Sequence, residues 1–148
     1  MNVRVADLLH AKGSVVENIS PTATILDAVK RMSKHRIGCL AVMSDDGELM
    51  GVLSERDCMW KVIAEDGAPS KTRVQEAMTP IAAIKTVTPL HTVEDCMELI
   101  TTGRHRHLLV LNGKNLIGLI SIGDVVKCLM DIQVATIHSL EKYINGSL

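Results

Sequence analysis

Two seven-residue stretches of this chain set a serine three residues ahead of an aspartate: GVLSERD at 51–57 and GLISIGD at 118–124. Each opens with glycine and two aliphatics, so Ser54/Asp57 and Ser121/Asp124 fall where a buried strand hands over to a helix. Two chemistries suit that spacing. A serine at a helix N-cap with an acid three residues on is a capping pair, each side chain satisfying the other residue's backbone N–H. The same carboxylate also offers two acceptor oxygens to the paired hydroxyls of a ribose. It does so beside free N–H groups and the positive end of a helix dipole, which suit phosphate. The serine hydroxyl can cap the helix and donate to a phosphate oxygen. Thr24/Asp27 and Thr92/Asp95 share the spacing, and we read those as caps only.

The elements that must position these residues are written twice. Shifting the chain on itself by 68 sets Pro21 on Pro89, Thr24 on Thr92, Asp27 on Asp95, Arg36 on Arg104, Leu40 on Leu108 and Val42 on Val110. Past a turn one residue shorter in the second copy, an offset of 67 sets Gly51 on Gly118, Ser54 on Ser121 and Asp57 on Asp124. Upstream, VRVADLL at 3–9 matches TRVQEAM at 72–78. The polar stretch 64–71 connects the copies, which we bound at 1–66 and 67–130, with 131–148 as an extension of the last helix.

Each copy reads as a short leading helix and then β-α-β-β-α. Brief extended segments at 15–19 and 83–87 precede helices at about 25–35 and 93–102, whose aliphatics recur at helical spacing. GCLAVM and HLLVL are strands, SDDGE and NGKN are hairpin turns, and LMGVL and LIGLI are the returning strands. The fold class is α/β (α+β), two such repeats about a pseudo-twofold axis plus a long C-terminal helix. Val126, Met130, Val134, Ile137, Leu140 and Ile144 continue that helix with an apolar stripe that nothing in copy one matches. Such a stripe needs cover, and a second copy of the chain is the cover we expect, making a homodimer. Met32, Met97 and Met130 read as core filler.

With 148 residues and a formal net charge of −1, the chain gives no electrostatic reason to invoke nucleic acid or a membrane surface. No apolar run approaches the ~20 residues that cross a bilayer, and the first residues lack the apolar core of a signal peptide, so we expect a cytoplasmic protein. Cys39, Cys58, Cys96 and Cys128 form no CxxC and read as free thiols in a reducing compartment. With one Trp, one Tyr and no Phe, a bound base has to lie between aliphatic side chains. In RHRH at 104–107, Arg104 and Arg106 alternate with His105 and His107; the run is a solvated basic edge or an arginine clamp for phosphate. We expect no metal. No nucleophile elbow, HExxH, P-loop or GxGxxG is present, and we expect no intrinsic catalysis.

The duplication, with IGCLAVMSDDGELMGVLSERD and HRHLLVLNGKNLIGLISIGD in order, resembles a tandem pair of cystathionine-β-synthase (CBS) domains, or Bateman module, over about residues 3–130. The trailing helix resembles that of small bacterial CBS-pair proteins. The resemblance implies a regulatory module that binds AMP, ADP, ATP or NAD(H), with S-adenosylmethionine behind them, in clefts between the repeats, and that signals to an effector protein. It implies ribose on Asp57 and Asp124, with Ser54 and Ser121 near ribose or phosphate. Around Asp124 it implies Lys12, Val16, Asn18, Ile37, Gly38, Ile122 and Arg106. Around Asp57 it implies Thr79, Pro80, Ile84, Lys85, His105 and Arg106, with Arg56 flanking. Glycine at 38 would let a ring approach the backbone. CMW at 58–60 stands where relatives often carry an arginine, and Lys61 is the cation that could replace it. The alternative is a ligand-independent assembly module whose Ser-x-x-Asp boxes are caps alone.

Overall fold

The repeated apolar runs build repeated elements. In the computed structural model, which describes residues 3–103 and 105–146, the order begins with α1 (Val5–Lys12), β1 (Asn18–Ile19), α2 (Ile25–His35), β2 (Cys39–Met43) and β3 (Leu49–Ser54). There follow α3 (Glu55–Cys58), which runs on into a π-helical turn (Met59–Ile63), then α4 (Val74–Ala77) and β4 (Thr79–Pro80). After a 3-10 turn (Ile81–Ala83) come β5 (Thr86–Val87), α5 (Val93–Gly103), β6 (His107–Asn112), β7 (Asn115–Ser121) and α6 (Ile122–Ile144).

Packing divides the chain into two units, residues 15–84 and residues 1–14 with 85–148. The first carries a sheet of order β1-β2-β3-β4, and the second a sheet of order β5-β6-β7. In each, a short parallel strand pairs with the first strand of an antiparallel hairpin. The ladder slips at Val42/Met43 in one hairpin and at Val110/Leu111 in the other, equivalent positions in the repeat. Leu40, Ala41 and Val42 are buried on successive residues, as are Leu108, Leu109 and Val110, so both faces of each strand are covered. That is why these strands read as continuous apolar runs rather than alternations.

The leading helices are exchanged between the copies. Arg4 bridges Thr92, and Arg73 bridges Thr24. Val5 N donates to His91 O at 2.8 Å, and Val74 N donates to Ala23 O at 2.8 Å. The Arg4 guanidinium caps the Leu90 carbonyl, and that of Arg73 caps the Thr22 carbonyl. So α1, written at the head of copy one, buries Val5, Leu8 and Leu9 against Val93, Leu108 and Ile120 of copy two. In turn α4 buries Val74 and Ala77 against Ile25, Leu40 and Leu53 of copy one.

Helix starts follow the capping signature. Thr24 and Asp27 exchange hydrogen bonds at 3.1 and 3.2 Å, and Thr92 and Asp95 at 3.1 and 2.9 Å. Bonds from the threonine backbone and side chain hold both carboxyls below their ordinary pKa. Met32 is buried and Met97 half-buried, but Met130 is exposed, because α6 turns Val125 and Leu129 to the core and leaves Met130 on its outer face.

Gly51 is where β3 meets β4 most closely, and a Cβ there would run into the Thr79 carbonyl oxygen. At Gly118 the obstacle is the flexible end of the Leu9 side chain. Chemical denaturation should therefore show Gly51→Ala losing about 2 kcal/mol and Gly118→Ala losing less, because backbone cannot step aside as a side-chain tip can.

Candidate functional site

Both Ser-x-x-Asp boxes head a helix at the end of a buried strand. In the 15–84 unit, Ser54 closes β3 in an extended conformation and its Oγ accepts from Asp57 N at 3.2 Å. Ser54 N donates back to Asp57 Oδ2 at 2.9 Å. Asp57 is 8% exposed, and its carboxylate has partners beyond the cap. Thr79 Oγ1, on β4, donates to Oδ1 at 3.2 Å, and Lys61 Nζ lies 2.9 Å from the same oxygen. Lys61 also donates to Ala77 O at 3.1 Å. Asp57 thus ties α3, the π-helical turn and β4 together.

In the other unit, Ser121 closes β7. Ser121 Oγ accepts from Asp124 N at 3.2 Å, and Ser121 N donates to Asp124 Oδ2 at 2.8 Å. The cation here comes from α1: Lys12 Nζ lies 2.5 Å from Asp124 Oδ2 and donates to Leu119 O at 2.6 Å. Burial of the Asp124 carboxylate disfavours its charge. The Lys12 ammonium and the Ser121 amide and hydroxyl outweigh that, and the pKa lies below the ordinary carboxylate value. Lys12 and Asp124 sit among the residues of a groove of about 600 Å³, with Leu8 and Ala11 of α1 on one side and Cys128, Ile132 and Ala135 of α6 on the other.

The remaining expected residues fall as follows. Gly38 O accepts from Glu55 N at 2.9 Å, and Arg106 O accepts from Ile122 N at 2.9 Å, equivalent bonds that start α3 and α6. The Glu55 carboxylate lies 3.1 Å from where a Gly38 Cβ would be, so this glycine makes room for a side chain of its own unit. Ile37, Gly38 and Glu55 line a depression of about 740 Å³ together with Arg36 and Met59. Val16 is half-buried, and Asn18 on β1 gives its carbonyl to the Arg31 guanidinium. Pro80 pairs with Gly51, and Ile84 N donates to Ile81 O at 3.2 Å. The Arg56 guanidinium stacks 5.1 Å above the Trp60 ring. Lys85, His105, Arg106 and Ile122 belong to the second unit; Lys85, Arg106 and Ile122 are exposed, and His105 packs against Gly103. Arg104 lies outside the described residues.

Thus Ser54, Asp57 and Thr79 come together in one unit, and Lys12, Ser121 and Asp124 in the other. The Asp57–Lys61 pair is a contact the sequence reading missed, although acid and lysine four apart on a helix are its usual signal. The π-helical turn and the Glu55 contact had no such signal. Burial pushes the Cys58 and Cys96 thiols up to about 11, so both stay protonated at neutral pH. Among the described residues no group of His, Cys, Asp and Glu is arranged to hold a metal, and no helix is long and apolar enough to cross a membrane.

The family profile of the CBS domain matches residues 14–63 and 74–131. This chain belongs to the CBS-domain family. The CBS domain protein NE2398 superposes with a TM-score of 0.82 at 40% identity, over 88% of this chain and 99% of that one. ATU1752 from Agrobacterium tumefaciens superposes with a TM-score of 0.79 at 38% identity, over 86% and 93%. The mitochondrial CBS domain-containing protein CBSX3 of Arabidopsis thaliana is 33% identical over 96% of this chain and 72% of its own length. The β-α-β-β-α repeats and long final helix of this chain are thus those of a tandem CBS pair.

Substitutions at two positions test how the CBS carboxylates are held. Thr79→Val should cost about 1 kcal/mol in urea unfolding, and Thr79→Ser much less, because only the hydroxyl reaches Asp57. Lys12→Met should cost about 0.5 kcal/mol at pH 7. A folded-state pKa below the unfolded one gives stability that is present above the unfolded carboxylate pKa and lost as pH falls through the folded one. The gap between wild type and Lys12→Met should therefore be constant at neutral pH and close in acid, as read from unfolding midpoints across pH.

Proposed function

We propose that this CBS pair is a regulatory sensor for an adenosine nucleotide, AMP, ADP, ATP or NAD(H), held at two sites, one headed by each aspartate. The observation that carries the reading is the matched pair of carboxylates at the heads of α3 and α6, each fixed by its cap and each beside a lysine. A carboxylate clamped by its own helix start is a rigid acceptor for two ribose hydroxyls. A lysine at 2.5–2.9 Å is close enough to turn from the carboxylate to a phosphate of the same ligand. Thr79, Ser54 and Ser121 add hydroxyls at the same points. Support comes also from a protein of the same fold, PAE2072 from Pyrobaculum aerophilum, which is complexed with AMP (24% identity, TM-score 0.72). Binding would shift the balance of conformations available to the pair and so signal to an effector protein without catalysis.

A second reading has its own observation. All four Ser/Thr-x-x-Asp boxes close with the same cap geometry, so the Asp57 and Asp124 boxes also fit a ligand-independent assembly module.

Thermal unfolding with AMP, ADP, ATP, NAD(H) and S-adenosylmethionine separates the two. A ligand present at about 100 times its Kd adds about 2.7 kcal/mol. The sensor should gain that stability from at least one nucleotide and lose the gain in Asp57→Ala or Asp124→Ala. No shift with any of the five would leave the assembly reading.

A further inference from the structure

The two Ser-x-x-Asp carboxylates differ in how much hydrogen-bonding capacity they have left. An ionised carboxylate offers about four lone-pair sites, shared between its two oxygens. In the 15–84 unit both oxygens of Asp57 are filled. Oδ2 accepts from Ser54 N at 2.9 Å and from Ser54 Oγ at 3.1 Å. Oδ1 accepts from Thr79 Oγ1 at 3.2 Å and faces Lys61 Nζ at 2.9 Å. Lys61 is tethered in its turn, to Ala77 O at 3.1 Å and to Thr79 Oγ1 at 3.5 Å. In the other unit, Ser121 N and Lys12 Nζ both reach Oδ2 of Asp124, at 2.8 and 2.5 Å. Among the described residues no hydrogen bond reaches Oδ1 of Asp124. The Asp124 side chain is 24% exposed and that of Asp57 10%.

The repeat shows where the difference comes from. Lys61 stands in register with Cys128, and Thr79 with His10. The two side chains that fill Oδ1 of Asp57 therefore have no chemical equivalent in the other copy. Lys12 compensates for the missing charge but settles on the oxygen that the cap already uses.

We propose that the two carboxylates take ligand in a fixed order. Asp124 binds first, because its Oδ1 is open to a ribose hydroxyl. Asp57 is held shut by Lys61 and Thr79 until a phosphate of the incoming ligand draws the Lys61 ammonium away. This ordering rests on the sensor reading above and makes the response a two-step one. Hydrogen bonds to a charged acceptor must be given up at Asp57 alone, which weakens the second site by about 10- to 100-fold. The order also sets a chemical requirement. A nucleoside without a phosphate has nothing to offer Lys61, so adenosine fills the Asp124 site only, whereas a nucleotide fills both.

Calorimetric titration with AMP, ADP, ATP and NADH, each alone, reads the order directly. The nucleotide that binds should show two sites, and adenosine one. Asp124→Asn should remove the tight site, and Asp57→Asn the weak one. Lys61→Met should let adenosine fill a second site. Thr79→Val frees the same oxygen of Asp57 with the lysine retained, and should narrow the gap between the two nucleotide affinities should Lys61→Met fail to fold. Two sites of equal affinity, loss of the tight site in Asp57→Asn, or adenosine filling two sites in the wild type overturns the ordering and leaves the sensor reading in place. Failure of all four nucleotides to bind overturns both.

Discussion

The exchange of leading helices is the constraint on which the rest of this molecule depends. Each of α1 and α4 offers an arginine, a pair of backbone amides and two or three aliphatics to a repeat other than its own. The amides are the orphan donors of a helix start, and the carbonyls of residues 89–91 and 21–23 accept them. Neither short helix would be stable alone; four residues of α4 close barely one turn. Their stability comes from the apolar surface they share with the neighbouring hairpin and helix.

That exchange decides the surroundings of both carboxylates. Lys12 ends α1, and the exchange carries it across the fold to Asp124. Thr79 follows α4, and the same exchange on the other side carries it to Asp57. The two sites are therefore alike in design and unlike in detail. Asp57 is buried, and its lysine comes from its own helical segment; Asp124 is more open, and its lysine comes from the far end of the chain. Copy two has Cys128 where copy one has Lys61, so the second site had to draw its cation from elsewhere.

A helix start that caps itself with an aspartate leaves a charged, rigid acceptor at the end of a strand, and the proposed sensor uses that acceptor for ribose. Capping and ligand binding need not compete. The cap uses the amide of Ser54 or Ser121, whereas a ligand would compete with the lysine and threonine contacts, which are the exchangeable ones.

The repeat, the hairpin strands, the turns and all four capping boxes could be read from the residues, because each depends on neighbours within a few positions; the two-residue strand β4 could not, because it exists only through its pairing with β3. Helix 25–35 and the starts of the last helices at Ser54 and Ser121 follow from local capping and periodicity, which no distant contact overrode. The Ser-x-x-Asp boxes were legible for the same reason. The family resemblance, rather than spacing, brought Lys12 and Thr79 into view, since 112 and 22 residues of chain separate them from their aspartates. Only the tertiary structure decided that α1 serves the second repeat and α4 the first, that Glu55 fills the space beside Gly38, and that Lys61 turns to Asp57. Those are choices among partners of similar chemistry, and such choices are made by which surfaces meet when the cores form, not by local propensity.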